Sequence, residues 1–259
     1  YRFNLGILGS KWVGFDNFIE LFSVNSFKEV FTNTIVISFY KLVLGFPAPI
    51  IFAILLNEMR NQKYKRIAQT ISYLPHFLSW VILGGIFMQF LSPSDGPINI
   101  ILKHFGYKPI YFIADVKWFR TVLVTTSIWK DFGWSSIVFL AALTGINPEI
   151  YEAAEIDGAN RIQRIIHVTI PGLTPVITIM FIFAVGKLIT DDFDQIFNLY
   201  NPAVYKVGDV LSTYTYRVGL VQMRYSYATA VGMFKNIISF ALVLTANTIT
   251  KRINEYGLW

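Results

Sequence analysis

The sequence is 259 residues long, with 54% hydrophobic and only 15% charged residues and a mean hydropathy of +0.50, which is far from the balance of a soluble domain. It contains no cysteine, which excludes a disulfide framework, a thiolate metal site and a thiol nucleophile within these residues. The formal charge is +6 and the pI about 9.4, but the basic residues lie at the ends of apolar runs instead of forming one stripe. The charge therefore indicates orientation in a membrane and argues against contact with nucleic acid.

Five apolar stretches follow one another along the chain, each of about 20 residues and so long enough to cross about 30 Å of hydrocarbon. They predict an all-α, polytopic membrane helical bundle that forms a single transmembrane domain over 1–259. In the second stretch, Pro75 and Gly84–Gly85 indicate kinks or close contacts between helices. The predicted spans are about 32–56, 67–91, 120–145, 170–190 and 227–250.

Basic residues set the predicted orientation, because loops rich in lysine and arginine stay on the cytoplasmic side. We expect a cytoplasmic C-terminus, a cytoplasmic loop at 146–170, and extracytoplasmic segments at 1–31 and 191–226. Five crossings that end inside place Tyr1 outside, so we expect an upstream sixth helix in the intact protein; a five-span protein with a cleaved leader is the alternative. The basic residues that set this orientation are Arg60, Lys63, Lys65 and Arg66 after the first span and Lys251 and Arg252 after the fifth.

The loop before the fourth span predicts a helix, a turn and a second helix. Asn147 can cap the first helix, with Pro148 at its first position and Glu149 near the positive end of the helix dipole. Gly158 can take a left-handed conformation that ends this helix, and Asn160 can cap the next one. In the second helix an apolar stripe should lie against the bundle; it consists of Ile162, Ile165, Ile166 and Thr169.

The first of these two helices has the chemistry of a docking surface. Ala153 and Ala154 let another backbone approach closely, and Glu152 and Glu155 can meet basic groups or backbone donors of a partner. A helix resting on lipid would carry lysine or arginine on its polar face. The acidic residues of this helix argue against that alternative.

The segment EAAEIDGA, followed by IHVTIP, resembles the EAA loop of ABC importer permeases, specifically the carbohydrate-type, binding-protein-dependent inner-membrane component family. Other stretches resemble the same family: KWVGFDNF, FTNTIVIS, IWKDFGWSSIVFLAALTGI and ATAVGMFKN. SYLPHFLSWV and LYNPAVYKVGDVLSTYTYRVGL look like the branch that handles oligo- or polysaccharides. The resemblance covers nearly the whole chain. The isoleucine and histidine before VTIP depart mildly from the residues more frequent in the family.

This resemblance implies a multi-pass permease of the inner (cytoplasmic) membrane that forms half of a sugar-import pore and carries out no covalent chemistry. It implies a coupling helix, roughly 148–158, that docks into an ATP-hydrolysing subunit. Partners would be a second permease, two ATP-binding subunits, an extracytoplasmic solute-binding protein and membrane lipid, with ATP and Mg held by the ATPases and no cofactor in this chain. The coupling residues would be Glu152, Ala153, Ala154, Asp157 and Gly158.

The chain lacks the motifs of the other subunit types. Its Gly186–Lys187 pair has Phe181 where a phosphate-binding loop needs its first glycine, and Leu188 where it needs a hydroxyl. The three histidines stand alone, without metal-binding or hydrolase spacing. We therefore expect neither an ATPase nor a hydrolase here.

Ionisable and aromatic residues within the spans mark a candidate solute pathway, because charges at membrane depth normally face a bundle interior or water. Aromatic faces suit sugar C–H surfaces, while lysines suit an acidic polymer. The alternative is that the aromatics face lipid and that Lys130 with Asp131 is a local structural contact. Asp191, Asp192 and Asp194 are expected to be solvated or to contact the binding protein. The pathway candidates are Lys41, Trp129, Lys130, Asp131, Trp134 and Lys187.

Two other functions remain open on the residues alone. An ABC importer for a peptide or polyamine would share the loop and differ in the pathway. A secondary transporter would work without ATPase subunits and would have no use for an acidic, alanine-rich cytoplasmic helix.

Overall fold

The computed structural model describes residues 6–254 and 256–258, and this part of the chain consists of helices, turns and loops with no β-strand. The α-helices are α1 Gly6–Gly9, α2 Asp16–Ser23, α3 Asn25–Tyr40, α4 Pro47–Asn57, α5 Gln62–Tyr73, α6 Trp80–Phe90, α7 Pro97–His104, α8 Phe119–Leu143, α9 Pro148–Ile156, α10 Arg161–Arg164, α11 Ile170–Gly186, α12 Phe193–Leu199, α13 Tyr205–Gly208, α14 Leu211–Tyr216 and α15 Tyr225–Asn254. Lys41–Gly45, Ile165–Thr169 and Arg217–Val221 are π-helical, and Leu74–Phe77 and Pro202–Val204 are 3₁₀ turns. The predicted all-α class is confirmed.

Within the described residues, three single helical stretches are long and apolar enough to cross a membrane: Asn25–Asn57, Arg161–Gly186 and Tyr225–Ile253, of 33, 26 and 29 residues. They contain the first and fifth predicted spans and most of the fourth. At about 1.5 Å per residue each exceeds the roughly 30 Å of a hydrocarbon core. The helix α8 coincides with the third predicted span but falls outside this set, since polar residues such as Lys130 and Asp131 dilute its apolar character. The count of five spans stays a prediction.

The second predicted span is broken. Gln62–Phe77 and Trp80–Phe90 are bent by 105° with respect to each other, so they form a broken span or a re-entrant loop. The break follows the 3₁₀ turn that contains Pro75, which cannot donate a backbone hydrogen bond. A close contact also occurs, because a Cβ at Gly84 would lie 3.2 Å from the carbonyl oxygen of Asn198. The structure thus contains both features that the proline and glycines predicted.

The chain divides into two compact units. The first unit comprises the described residues of Tyr1–Phe39, Trp80–Leu123 and Gly186–Ala241. The second unit comprises those of Tyr40–Ser79, Val124–Val185 and Leu242–Trp259.

The core of the second unit is a cluster of buried aliphatic and aromatic side chains from α4, α8 and α11. Burial of such side chains contributes roughly 1.5–3 kcal/mol each. This cluster fixes the ends of α8 and α11, which bracket the loop with α9 and α10. Its buried members are Ala53, Ile54, Phe139, Leu143 and Leu173.

The first unit is held together by a buried polar network as well as apolar packing. The Asn33 amide donates to the carbonyl oxygens of Lys206 and Asp209, at 3.0 and 3.1 Å, and its Oδ1 accepts from Arg120 at 2.7 Å. The Asp209 carboxylate accepts from Arg217 Nη2 at 2.5 Å. Since buried polar groups are costly without partners, this network fixes the course of the chain between α12 and the Arg217–Val221 segment.

Candidate functional site

The loop between α8 and α11 begins as its sequence predicts. Asn147 precedes α9 with an extended backbone, and its Oδ1 accepts a hydrogen bond from the Glu149 amide at 3.0 Å. Pro148 occupies the first helical position, where a missing N–H has no cost. The predicted N-cap of α9 is confirmed.

The end of α9 also matches the prediction. Gly158 has φ +80, a left-handed conformation that glycine adopts without a steric penalty. Its amide donates to the Glu155 carbonyl at 3.1 Å, and the Ala159 amide donates to the Ala154 carbonyl at 2.9 Å. These two bonds satisfy carbonyl groups that a helix end leaves open, so Gly158 acts as a helix stop.

The second helix starts at Asn160 with a reciprocal cap. The Gln163 amide donates to Asn160 Oδ1 at 3.0 Å, and the Asn160 amide donates to Gln163 Oε1 at 2.8 Å. The chain then becomes π-helical over Ile165–Thr169.

The prediction of an apolar stripe against the bundle holds for two of its four residues. Ile165 packs against the core cluster and Thr169 is buried, but Ile162 and Ile166 are exposed. The prediction assumed uniform α-helical spacing, whereas a π turn holds more residues and changes which side chains share a face.

Three polar contacts fasten the loop to the second unit. The hydroxyls of Tyr151 and Thr169 are 3.0 Å apart, which ties the middle of α9 to the π-helical segment. Arg164 pairs with Glu155 at 2.8 Å. The third contact is the ion pair of Arg161 with Glu58, whose carbonyl oxygen also accepts from Arg161 Nη2 at 2.6 Å. The first two contacts hold the segments of the loop together, and the third links the loop to the segment after α4.

The predicted coupling residues form the outer face of this fastened loop. Glu152, Ala153, Asp157 and Gly158 are exposed, and Ala154 is half-buried. Ile156, beside them, is 87% exposed. The surface thus combines carboxylates, small side chains and one large apolar side chain, which suits a protein partner that offers basic and apolar groups.

The structure brings three of the pathway candidates together around His76, at the break between α5 and α6. Lys130 Nζ donates to the His76 carbonyl at 2.6 Å, and Asp131 Oδ1 lies 2.9 Å from His76 Nδ1. The Trp134 ring stacks on the imidazole with centroids 4.8 Å apart and planes at 2°. Lys130 is only 7% exposed, although an isolated charge at that depth would be costly. The cluster therefore ties the 3₁₀ turn after α5 to α8 within the second unit.

The other candidates are more scattered. Lys41 and Asp131 line a small cavity of about 160 Å³ in the second unit, together with Ser127 and Ser135. Trp129 is exposed and lies outside that lining. Lys187 belongs to the first unit and is also exposed.

Sequence analysis missed a second cavity, of about 620 Å³, which lies wholly in the first unit. Lys235 lines it and pairs with Asp191 at 3.3 Å. The expectation that Asp191 is solvated is wrong, because its side chain is only 2% exposed. The sole sequence signal was a lysine inside the apolar fifth span, since the other lining residues are spread from Phe193 to Asn236.

No group of three or more metal-ligating side chains occurs among residues 6–254 and 256–258.

These features define a helical membrane chain in which the loop before α11 carries a short helix with an exposed face. Residues 45–256 match the family described as binding-protein-dependent transport system inner membrane component, and the chain belongs to this family. It is the permease subunit of an ABC importer, as the EAA-type loop predicted.

Individual relatives agree with this assignment. The chain is 39% identical to the polygalacturonan/rhamnogalacturonan transport system permease protein YteP of Bacillus subtilis over 259 residues, which is 100% of this chain and 81% of YteP. A chain in the crystal structure of a bacterial ABC transporter involved in the import of the acidic polysaccharide alginate is 42% identical, with a TM-score of 0.91 over 95% of this chain and 86% of that one. A bacterial alginate ABC transporter in complex with an alginate pentasaccharide-bound periplasmic protein gives 40% identity and a TM-score of 0.92, over 98% and 88%.

Proposed function

We propose that this permease forms half of an ATP-driven pore that imports acidic oligosaccharides or polysaccharide fragments, and that α9 is the helix through which ATP hydrolysis drives it. The observation that carries the proposal is the construction of the loop. Its outer face presents Glu152 and Ala153, while Arg164 holds its two helices together, Tyr151 ties α9 to the residue before α11, and Arg161 ties the loop to the segment after α4.

A helix that transmits force needs a firm base and an accessible face. Tyr151 links α9 to Thr169, which is the last residue before the apolar helix α11, so displacement of α9 would pull on that helix. Arg161 carries the same displacement to Glu58, which follows α4. On the accessible face, Glu152 and Asp157 would meet basic or backbone donors, and the small side chains of Ala153 and Ala154 would permit close approach. Gly158 would keep the loop in its bent course.

The chain has one such loop, so a pore driven by two ATP-binding subunits requires a second permease. Those ATPases would hold ATP and Mg, and an extracytoplasmic binding protein would deliver the solute. This chain would have no catalytic role and no cofactor of its own. Its basic loop after α4 and the pair Lys251 and Arg252 favour a cytoplasmic position for those segments, for α9 and for the C-terminus, with five spans between residues 1 and 259.

An acidic saccharide is the favoured solute because two relatives carry polygalacturonan and alginate in their names or titles, and both are polymers of carboxylated sugars. Lysines with nearby tryptophans offer donors and apolar ring faces. The pathway candidates are Lys41, Trp129, Lys130, Asp131, Trp134 and Lys187.

The test is uptake by the complete importer in proteoliposomes with ATP inside and the binding protein outside. Trigalacturonate, its neutral methyl ester, a tripeptide and spermidine would be compared. We expect uptake of trigalacturonate that requires both ATP and the binding protein. Transport of the tripeptide or spermidine in its place would overturn the saccharide assignment, and uptake that continued without the ATPase subunits would overturn the importer mechanism.

A further inference from the structure

The cavity in the first unit is lined by α14, the Arg217–Val221 segment and the first half of α15, with Phe193 beside them. Its volume of about 620 Å³ lies within the roughly 300–1,000 Å³ of small-molecule sites. All its lining residues belong to one compact unit, so its shape is set within that unit.

The charged group of the cavity is held by a buried partner. Asp191 accepts from Lys235 Nζ at 3.3 Å through Oδ1 and from the Ser212 amide at 3.0 Å through Oδ2. Its side chain is 2% exposed, whereas that of Lys235 is 18% exposed. An ammonium group has three N–H donors, and Asp191 takes one of them. Lys235 is therefore positioned by Asp191 and retains donors for an acceptor in the cavity.

A second observation points to a ligand. Ser212 lines the cavity, and its Oγ is buried without a hydrogen-bond partner among the residues that the structure describes. Buried polar atoms in native proteins nearly always have hydrogen-bond partners, so the unpaired Ser212 Oγ indicates that a partner is missing. A hydroxyl can donate and accept, and an oxygen-rich ligand would provide both kinds of partner.

The remaining wall is aromatic and aliphatic. Tyr216 and Phe193 pack with ring centroids 5.4 Å apart, and Tyr225 adds a third ring. Aromatic faces bind the apolar C–H surface of a sugar ring, while nearby polar groups fix its oxygens. Rings and a lysine that retains donors thus meet in one cavity, and the buried Ser212 hydroxyl belongs to a residue of its wall.

We propose that this cavity is a saccharide subsite, in which Lys235 donates to the carboxylate of one acidic sugar unit, Ser212 Oγ bonds a ring oxygen or hydroxyl, and the sugar packs against Tyr216 and Tyr225. The inference rests on the proposed import of acidic saccharides and names a site for them. Asp191 acts as a positioning residue, since both its oxygens are already engaged.

The first test fills the cavity without disturbing its charged pair. A Cβ at Gly232, on α15, would meet no neighbouring atom of the described residues within 4 Å, so Gly232→Leu should fold and occupy the space. Gly85→Leu is the matched control, because Gly85 is also helical, meets nothing within 4 Å and lies outside the lining. We expect loss of trigalacturonate uptake for Gly232→Leu alone. Normal uptake by this variant would overturn the subsite.

The role of the Lys235 ammonium group in binding the sugar carboxylate is tested with Lys235→Met in the full importer. Uptake of trigalacturonate should fall about tenfold, the effect of losing a charge-assisted hydrogen bond, and uptake of the methyl ester should fall less. Because this change leaves Asp191 buried and unpaired, the Lys235→Met, Asp191→Asn double variant is measured as well and should show the same selectivity. Equal losses for acid and ester in the double variant would overturn the role of Lys235.

Binding can be measured apart from transport, because the 259 residues contain no cysteine. Thr229→Cys places a thiol in the cavity wall, and Thr248→Cys is the control on the same helix, since both threonines bond the carbonyl four residues earlier, at 2.9 and 2.8 Å. In the purified complex, millimolar trigalacturonate should slow maleimide labelling of this chain at 229 and leave that at 248 unchanged. Equal labelling with and without saccharide, in a complex whose wild-type form imports it, would overturn the subsite alone; a wild type that imports no saccharide would overturn the proposed function.

Discussion

Two combinations of lysine and aspartate serve different purposes in the two units. In the second unit, Lys130 and Asp131 are neighbours in the sequence, and both contact His76, one at its carbonyl and the other at its ring. In the first unit, Lys235 and Asp191 are 44 residues apart, pair with each other and lie at a cavity. The first combination fixes the turn after α5 on α8, and the second leaves donors for a ligand.

The difference shows how to interpret a charge in an apolar helix. Lys130 is buried and its ammonium group bonds a backbone carbonyl, so it supports the fold. Lys235 is held by a carboxylate whose two oxygens each accept a hydrogen bond, and the lysine keeps some exposure toward open space. Removal of the Lys130 ammonium group should therefore alter the transport of every solute alike, and changes at the cavity should alter the choice among solutes.

The largest effect is expected for Gly158→Pro. Proline cannot adopt φ +80 and removes the N–H that bonds Glu155, at a cost of about 3 kcal/mol, which corresponds to about a hundredfold loss of uptake for all solutes alike. Gly106→Pro is the matched control, because Gly106 has φ +81 and the same two bonds at the end of α7, from its own amide to Lys103 and from Tyr107 to Leu102. Proteoliposome uptake and the amount of chain in the membrane are compared. Equal losses in both variants would contradict a special role for the α9 loop.

Glu152→Lys should come next. A like-charge contact at an interface costs several kcal/mol, so we expect the ATP-binding subunit to dissociate at least about tenfold more readily while the cavity still binds saccharide. Glu29→Lys, another exposed position on a helix, serves as the control. Retention of the ATPase is followed by quantitative mass spectrometry of the purified complex. A variant that keeps its ATPase and its uptake would remove Glu152 from the docking surface.

Lys130→Met should lower stability and uptake together. Loss of a hydrogen bond from a charged donor to a part-buried carbonyl costs about 2 kcal/mol, and the turn after α5 loses its link to Lys130 on α8. Thermal unfolding of the detergent complex should shift downward, uptake of acidic and neutral saccharides should fall by the same factor, and the ATPase should remain bound. A selective loss for the acidic saccharide would instead place Lys130 in contact with solute and erase the contrast with Lys235.

The smallest effect is expected for Ser212→Ala. Removing a buried hydroxyl that lacks a partner among the described residues should leave thermal stability unchanged or raise it, while uptake falls about fivefold through one lost hydrogen bond to the ligand. Thr178→Ala, at a buried hydroxyl on α11, is a control for the loss of a hydroxyl within a span. A drop in stability without a change in uptake would show that Ser212 serves the fold and not a ligand.

Local features were predictable from the sequence, and those that depend on distant residues were not. The capping asparagines, Pro148 and Gly158 act on neighbours within five residues, so the course of the loop could be deduced. The exposure of Ile166 was missed because a π-helical segment has no clear sequence signal. The burial of Asp191 was missed because its partners, Ser212 and Lys235, come together only in the folded unit.

The most direct test of the central claim is affinity purification of the intact protein from its own membranes in mild detergent, with the co-purifying subunits identified by mass spectrometry. It is compared with the Glu152→Lys, Gly158→Pro double variant. We predict that the wild type brings down a second permease and an ATP-binding subunit, and that the double variant keeps the permease and loses the ATPase. A chain that purifies alone, or a double variant that still brings down the ATP-binding subunit, would contradict the assignment of α9 as the coupling helix.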